Sequence, residues 1–365
     1  MNCINMKVGA AISAGSIVLA SAIATTASAQ DFTFVNDHGD ITQFCGTDPV
    51  RVALIDGYGG NSWRKTAFAE LQDEASKCEN ITDVVYADAG GDAQAYNAQI
   101  NGFVAQGYEV IITFTDFGDA AIPAYRAATQ AGVTMVPYFS DLGGTIGVDY
   151  VANPYEDAYA AGQIFGEWVG NTLEGEGTTV FLGGLPGSAS SMTFLDGYKD
   201  GLSAFPGVQL LDDNFIVTNW NPADAQRAVA GLIAQYDQID AIGSDYGVTS
   251  LAAVKAFEAA GMPVPAMAFI ATNNEYSCKW MDAKDAGNAW PQLALSGTTA
   301  DVRFALRAAM ADRAGMENPE PRAMVAFPFA NSEEGVDPLC DPSLPPDADL
   351  ASSLTAEQLS ELFAQ

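Results

Sequence analysis

Short apolar segments recur along this chain, and each is followed by a stretch with helical periodicity. The apolar segments are RVALI, TDVVYAD, YEVIITF, VTMVPYF, TTVFLGG, VQLLDDNFIV, IDAIGSD, PAMAFIA, LALSG and AMVAFPF. The stretches between them, such as NSWRKTAFAELQDEASK, have apolar residues every three or four positions. Apolar strands that alternate with helices are typical of parallel sheets covered on both faces. The pattern predicts an α/β fold with more strands than one ordinary sheet holds, and therefore two Rossmann-like lobes.

The first 29 residues have the features of an export signal. Lys7 supplies a positive charge, an apolar stretch of small residues follows, and Ala27-Ser28-Ala29 is an A-x-A cleavage site. We therefore expect residues 1–29 to be removed, so that the mature chain begins near Gln30 outside the cytoplasm. No later segment approaches the ~20 continuous apolar residues of a membrane span, so we expect no direct membrane insertion.

The mature chain is strongly acidic. The formal net charge is −31 at pH 7, and the loss of Lys7, the one charged residue of the leader, makes it −32. A surface of one sign repels nucleic acid and anionic membranes, so we expect neither as a partner. The charge indicates little about the ligand.

Four cysteines remain after the leader, an even number in an oxidising compartment. Cys45 precedes the first strand and Cys78 follows the next helix, and the chain reverses between a strand and its helix. The geometry therefore favours a Cys45–Cys78 disulfide, which leaves Cys278–Cys340. We expect no metal site, because no C-x-x-C spacing occurs and the one histidine, His38, lies in the polar N-terminal segment.

The first apolar strand ends in GYGGNSWRK, at residues 57–65. The glycines permit a tight turn and close approach of the backbone to a ligand. Asn61 or Ser62 can cap the helix that follows, and Trp63 offers an apolar ring beside polar groups. A sugar fits this combination, because its C–H faces stack on an aromatic ring while its hydroxyls need hydrogen-bonding partners.

Ligands of open α/β sheets bind beyond the carboxyl ends of the strands, so polar and aromatic residues at these positions are the candidate site. For Asp116 and Asp141, helix capping is the alternative role, and for Asn273 and Asn274 it is a turn. The candidate ligand-binding residues are Asn61, Trp63, Arg64, Asp116, Ser140, Asp141, Trp220, Asn221, Ser244, Asp245, Asn273, Asn274 and Ser296.

Catalytic chemistry has little support in the sequence. One histidine and four cysteines that pair leave no His- or Cys-based nucleophile, and no G-x-S-x-G elbow occurs. The segment GGLPGSASS at 183–191 lacks the Lys-Ser/Thr ending of a phosphate loop, so we interpret it as a strand-to-helix turn that lines the cleft. We expect no cofactor. A glycosidase needs only two carboxylates, so a carbohydrate-active enzyme is kept as an alternative.

The chain resembles the type I periplasmic sugar-binding proteins of ABC transporters, the family of the ribose- and galactose-binding proteins. The resemblance extends from about residue 49 to 335, and its motifs are GNSWRK at 60–65, NWNPADAQ at 219–226, IDAIGSD at 239–245 and TNNEY at 272–276. It implies two lobes with parallel sheets and a three-segment hinge. The implied N-terminal lobe is 46–142 plus 297–335, the C-terminal lobe is 143–296, and a tail follows at 341–365.

The resemblance also implies roles for several residues. Trp63 and Trp220 would pack on opposite faces of the sugar, with Asn61 and Arg64 beside the first of them. Hydroxyl-binding positions of the family match Asn221, Ser244, Asp245, Asn273 and Asn274. The implied protein is a monomeric periplasmic receptor that delivers a monosaccharide-sized carbohydrate to an ABC permease and is not an enzyme.

Three departures from the family leave the ligand open. An Asp-Arg pair is common where this chain has Ser140-Asp141, an Arg is common near Met192-Thr193-Phe194, and an Asp is common at Asn273. Arg64 can pair with a carboxylate, so a sugar acid or an amino acid is the alternative ligand. The sequence assigns no role to the tail.

Overall fold

The computed structural model describes residues 39–318 and 320–364. The export signal, its cleavage site and His38 lie outside these residues. The strands are β1 Val50–Asp56, β2 Ile81–Asp88, β3 Val110–Phe114, β4 Thr134–Pro137, β5 Tyr155–Glu156, β6 Glu176–Gly183, β7 Gly207–Leu210, β8 Ile216–Val217, β9 Ala241–Ser244, β10 Ala266–Ile270, β11 Gln292–Leu295, β12 Ala323–Met324 and β13 Pro328–Asn331. The α-helices are α1 Ser62–Ala75, α2 Ala93–Gln106, α3 Ile122–Gln130, α4 Ala158–Thr172, α5 Ala189–Leu202, α6 Pro222–Gln235, α7 Gly247–Ala259, α8 Asn274–Asp285, α9 Asp301–Ala314 and α10 Ala356–Phe363.

The first lobe is built on a parallel sheet of strand order β2-β1-β3-β4. Alternate residues of β1 point to opposite faces, as the pleat of a strand requires. Val52 and Leu54 belong to the core that includes α1 and α9, whereas Ala53 and Ile55 belong to the core that includes α2 and α3. The continuous apolar run RVALI therefore reflects a strand that is buried on both sides.

The second lobe is built on a larger sheet of strand order β13-β11-β10-β9-β6-β7, with β8 paired to the end of β6. Its neighbouring strands are parallel except for β13, which runs antiparallel to β11. The predicted α/β class with two lobes is confirmed.

Three crossings between the lobes form the hinge. The chain leaves the first sheet after β4, returns to the first lobe between β11 and α9, and crosses again after β12. Two of these crossings pair with each other, because Tyr155 and Glu156 of β5 lie in parallel register with Ala323 and Met324 of β12.

One lobe boundary differs from the expectation. The first lobe was expected to include residues up to 335, but β13 pairs with β11, and Ala330 lies in the core of the second lobe. The third crossing therefore precedes β13. The edge of the second sheet takes up this strand because an unpaired edge would leave backbone groups without partners.

Both expected disulfides are present. Cys45–Cys78 joins the segment before β1 to the residues after α1, and Cys278–Cys340 joins α8 to the start of the tail. The tail ends in α10, which packs against α1 of the first lobe. Across the described ranges, none of the helices has the length and apolar character needed to cross a membrane.

Candidate functional site

A cavity lies between the carboxyl ends of the two sheets, and its empty space of about 440 Å³ includes volume that is open to solvent. The loops after β1, β3, β4 and β6 contribute to its walls, together with the loops after β9, β10 and β11. The lining residues are Asn61, Trp63, Arg64, Phe114, Phe139, Ser190, Phe194, Trp220, Asp245, Tyr246, Ile270, Ala271 and Gly297.

Trp63 is a fixed wall of this cavity. The side chain is only 9% exposed, and its indole N–H donates to the carbonyl oxygen of Gly297. Phe114 and Phe139 meet its ring edge-on, with centroid distances of 5.5 Å and 5.1 Å. Aromatic neighbours on this side hold the ring in one orientation, so Trp63 has both a core role and a surface toward the cavity.

Arg64 lies at the centre of a buried ion cluster. Its guanidinium donates to Asp56 Oδ1 at 2.9 Å and to Asp116 Oδ1 at 3.1 Å, and it lies 3.5 Å from the ring centroid of Phe114. Tyr86 donates to the second oxygen of Asp56 at 2.9 Å. Burial alone would lower the pKa of Arg64, but the two carboxylates raise it, so the guanidinium stays charged.

The cluster around Arg64 carries more negative than positive charge. Burial raises the pKa of Asp116 to about 6, with Arg64 opposing the rise, so Asp116 is mainly ionised at pH 7. Among the described residues that line the cavity, Arg64 is the only cation. Because Asp56 and Asp116 already neutralise it, Arg64 offers little to an anionic ligand.

Asp245 is the charged acceptor of the second lobe. It follows β9, and its Oδ1 accepts from the indole N–H of Trp220 at 3.1 Å, while Ser191 donates to its Oδ2. Burial raises the pKa of Asp245 to about 7, and the two donors oppose that rise. A carboxyl group in this state can accept a hydrogen bond from a ligand hydroxyl or, when protonated, donate one.

Trp220 occupies a strained stretch of backbone. Asn219 and Trp220 both have positive φ values, 54° and 47°, which are uncommon for residues with side chains. Gly184 leaves space for the indole, because a Cβ at that position would collide with the ring. Strain of this kind costs of order 1–3 kcal/mol per residue and is typical of binding sites.

Other cavity residues share the same strain. Phe139 and Ala271 line the cavity and have φ values of 68° and 61°. Thr298, directly after the cavity residue Gly297, has a φ of 50°. Positive φ values thus concentrate at the strand ends around this cavity, as expected where backbone geometry is set by binding rather than by stability.

The two lobes touch across the cavity. Ser62 at the start of α1 and Tyr246 before α7 share a hydrogen bond of 2.7 Å between their hydroxyl oxygens. The rings of Tyr58 and Trp220 lie 6.0 Å apart, also from opposite lobes. A ligand in the cavity would therefore be contacted from both sides.

Five of the candidate residues from the sequence line the cavity: Asn61, Trp63, Arg64, Trp220 and Asp245. Asn61 also caps α1, since its Oδ1 accepts from the backbone N–H of Arg64 at 2.9 Å. The side-chain N–H groups of Asn61 can donate hydrogen bonds to a ligand. Asp116 lies behind this set as an ion-pair partner of Arg64.

The structure gives four other candidates local partners. Asn221 caps α6 and is exposed, and Asn273 caps α8 by accepting from Tyr276 N at 2.9 Å. Ser244 bonds to Thr249 Oγ1 at 2.8 Å. Asn274 binds the tail through its side-chain amide. Each of these four side chains thus has an internal hydrogen bond, which in Asn221 and Asn273 uses the amide oxygen.

The remaining candidates lie near the hinge. Ser140 and Asp141 line a neighbouring cavity, which shares Phe139 and Ser190 with the first. Asp141 also pairs with Arg322 at 2.9 Å. Ser296 is buried, and its Oγ has no hydrogen-bond partner among the described residues.

Several lining residues were not among the candidates. Phe114 is the last residue of an apolar strand, and Phe139 directly precedes the candidate Ser140. The sequence therefore indicates a core position for both. Ser190 belongs to the segment GGLPGSASS, for which the sequence predicts a turn that lines the cleft, and Phe194 follows that segment. These residues also lie at or after strand ends, but the candidate set contains only the polar residues and tryptophans from such positions.

The arrangement is suited to binding a small ring. Aromatic faces come from both lobes, and the other polar side chains of the lining are Asn61, Arg64, Ser190, Asp245 and the hydroxyl of Tyr246. In the described part of the chain, no group of three or more His, Cys, Asp or Glu side chains is placed to hold a metal ion.

Comparisons with known proteins agree with this geometry. A family model described as "Periplasmic binding protein domain" matches residues 52–290. No protein with a curated description matched the sequence. An ABC transporter solute binding protein from Thermobispora bispora has a similar structure, with 22% sequence identity, a TM-score of 0.69, and coverage of 86% of this chain and 94% of that chain.

Two further solved structures share the fold. One is described as a galactofuranose binding protein, with 16% identity, a TM-score of 0.66, and coverage of 77% of this chain and 93% of its own. The other is a Caulobacter myo-inositol binding protein bound to myo-inositol, with 20% identity, a TM-score of 0.65, and coverage of 78% and 94%.

Proposed function

The chain belongs to the periplasmic binding protein family, and we propose that it is an extracytoplasmic receptor for a neutral, monosaccharide-sized carbohydrate. The observation that supports this most directly is the cavity with Trp63 from one lobe and Trp220 with Asp245 from the other. Aromatic walls match the C–H faces of a sugar, and the polar groups match its hydroxyls. Relatives described as galactofuranose and myo-inositol binding proteins have ligands of this size and polarity.

A neutral ligand is favoured over a sugar acid. Arg64 is the side chain that could pair with a ligand carboxylate, but its charge is balanced by Asp56 and Asp116. A ligand carboxylate would also approach Asp245, which is partly ionised near pH 7, and like charges repel. We therefore rank sugar acids and amino acids below neutral sugars and polyols.

Delivery to an ABC permease completes the proposal. A solute receptor outside the cytoplasm needs a membrane partner to import its ligand, and the export signal at residues 1–29 would place the chain there. N-terminal sequencing of protein secreted by an expressing cell should find a chain that begins near Gln30. A start at Met1 in the exported protein would contradict this part of the proposal.

A thermal-shift screen tests the receptor function. Purified protein is heated with neutral monosaccharides, inositols, sugar acids and amino acids. A ligand that binds only the folded form stabilises it by ~2.7 kcal/mol at a hundredfold excess over Kd, which is a clear shift in Tm. The same ligand at the same concentration should give a much smaller shift with Trp220→Ala, because a binding loss of at least ~2 kcal/mol lowers the excess over Kd about thirtyfold or more. The proposal fails if none of these solutes raises Tm.

The rival function is a carbohydrate-active enzyme. Asp116 and Asp245 are both buried carboxyl groups with raised pKa values, a property that acid-base pairs of glycosidases share. Asp116 is bound by Arg64, however, and does not belong to the cavity lining described above. Incubation of the protein with aryl glycosides separates the two functions, because a receptor binds without turnover.

A further inference from the structure

After β13, the chain returns from the second lobe to the first lobe along the side of the cleft. We call residues 340–364 the C-terminal strap. Its first residue, Cys340, is disulfide-bonded to Cys278 of α8 in the second lobe. Asn274 adds a clamp at the same end, because its Nδ2 donates to the carbonyl of Asp341 at 2.8 Å while its Oδ1 accepts from Asp341 N at 3.0 Å. This end of the strap is therefore held covalently and by hydrogen bonds.

The middle of the strap passes behind the cavity wall. Asp347 and Asp349 line a small space together with Trp63 and Tyr246, which are cavity residues from opposite lobes. Asp349 is 6% exposed and packs directly on Gly297, where any side chain would collide with its carboxylate. The carbonyl of Gly297 accepts from the Trp63 indole, so the strap covers the peptide that orients this ring.

The end of the strap is anchored on the first lobe. The backbone N–H of Ser353 donates to Glu70 Oε1 at 2.8 Å, and Gln358 donates to Asp73 Oδ1 at 2.7 Å. Leu359 of α10 is 2% exposed and belongs to an apolar cluster that includes Ala69 of α1. Three contacts of the strap thus fall on the helix that begins with the cavity residues Trp63 and Arg64.

We propose that the C-terminal strap is a fourth connection between the lobes, which limits opening of the cleft and holds the wall formed by Trp63 and Gly297. A segment fixed to both lobes restricts how far they separate, and it must release one end before the cleft opens widely. The weaker end is α10, which has eight residues and no covalent link to α1. When the cleft opens, α10 therefore separates from α1, while Cys340 remains disulfide-bonded to Cys278.

The inference that the strap controls ligand access rests on the proposed receptor function, but its mechanical part can be tested without a ligand. The first variant ends after Asp341 and so keeps the Cys278–Cys340 disulfide. The second is Leu359→Asp, which places a charge in the contact with α1 and keeps every other residue. Glu361→Ala, at an exposed position of α10, is the matched control.

Two measurements on ligand-free protein decide the matter. Small-angle scattering should show a larger radius of gyration for both strap variants than for wild type and Glu361→Ala. Amide hydrogen exchange at the start of α1 should become at least about fivefold faster, because the coupling free energy between two sites typically corresponds to a factor of about five or more. If the shortened chain does not fold, Leu359→Asp decides alone.

The proposal is overturned if the folded variants match the control in radius and in exchange. Because neither measurement needs a sugar, this outcome is distinct from a failure of the receptor function, which the thermal-shift screen detects. A faster exchange confined to α10 itself, with α1 unchanged, would also contradict the proposal. In that case the strap covers the cleft without restraining it.

Discussion

The indole N–H of Trp220 donates to Asp245 Oδ1 at 3.1 Å, so the aromatic wall and the charged acceptor of the second lobe form one unit. The hydrogen bond to Asp245 fixes the orientation of the indole ring, and the ring shields the carboxyl group from water. Ser191 holds the other oxygen of Asp245. A ligand that meets this unit finds an apolar face and a hydrogen-bonding group whose relative positions are already set, which reduces the entropy cost of binding.

Asp245→Asn should strengthen folding and weaken binding. Burial raises the pKa of Asp245 to about 7 in the folded protein, above its ordinary value of 3.8, so the folded state binds more protons between these values. The stabilising contribution is complete below pH 3.8 and is lost as pH rises through about 7. The neutral Asn avoids that loss, so the unfolding free energy should increase by about 2–4 kcal/mol at pH 8 and change little at pH 4.

Denaturant melts of Asp245→Asn and wild type at pH 4 and pH 8 measure this difference. Calorimetric titration should show an affinity about tenfold or more below wild type, because a hydrogen bond to a charged group is worth ~1.5–3 kcal/mol. Equal stability changes at both pH values would show that folding does not raise the pKa of Asp245.

The two tryptophans should respond differently to truncation. Trp63 is packed in an aromatic cluster, so Trp63→Ala should cost ~3–5 kcal/mol of folding free energy as well as affinity. Trp220 is half-buried on a loop, so Trp220→Ala should cost less folding free energy and at least ~2 kcal/mol of binding. Paired denaturant melts and titrations test this, and an unchanged affinity in Trp220→Ala would place the ligand elsewhere.

The order of apolar strands and helices was sufficient to predict the α/β class, the two lobes and the position of the cavity. These features depend on local periodicity and on the rule that ligands bind beyond strand ends. The disulfide Cys45–Cys78 followed from the reversal of one βα unit. Each of these inferences uses residues that are near one another in sequence.

The internal partners of polar residues were not predictable in the same way. Asn274 follows a strand end, but its amide is taken by Asp341, 67 residues later, and nothing near Asn274 signals that contact. Arg64 lines the cavity, but nothing near it in the sequence signals its ion pair with Asp116, 52 residues later. The run VQLLDDNFIV divides into β7 and β8, because its polar centre interrupts the apolar pattern.

Asn221→Ala should separate a capping role from a binding role. The Oδ1 of Asn221 accepts from the backbone N–H groups of Ala223 and Asp224, which satisfies the first turn of α6. Loss of an N-cap of this kind costs ~1 kcal/mol of stability. Ligand affinity should remain that of wild type, as measured by titration beside Trp220→Ala. A large loss of affinity would restore Asn221 to the ligand-binding set.

Arg64→Met should be among the most destabilising substitutions in the first lobe. It would leave the buried carboxylates of Asp56 and Asp116 without their cation, and breaking a buried pair costs ~3–5 kcal/mol. Adding Asp116→Asn to Arg64→Met should recover part of that loss, because the two groups interact directly. Denaturant melts of both single variants and the double variant give the coupling. Additive effects would contradict the ion cluster.

The hinge should become less stable as pH rises, because it contains two neighbouring carboxyl groups that form no ion pair within the described part of the chain. Glu156 and Asp301 are buried, and burial raises the pKa of each well above its ordinary value. Ala326 N donates to Glu156 Oε1 at 3.1 Å, whereas Glu156 Oε2 and both oxygens of Asp301 have no hydrogen-bond partner among the described residues. The hydroxyl of Tyr138 adds no charge here at neutral pH, since burial raises its pKa well above 10.

Asp301→Asn tests this linkage. The folded state holds protons that the unfolded chain releases above pH ~4, so the stabilising contribution present below that pH is lost as pH rises. Asp301→Asn removes one of the two ionisable groups, and its Tm should exceed that of wild type at pH 8 while the two proteins melt together at pH 4. Asp312→Asn, at an exposed position of the same helix, is the control and should follow wild type at both pH values. Asp301 begins α9 directly after the second hinge crossing, and Glu156 lies in β5 of the first crossing. A variant that melts like wild type at pH 8 would mean that Asp301 is compensated by a partner and contributes nothing to the pH dependence of the hinge.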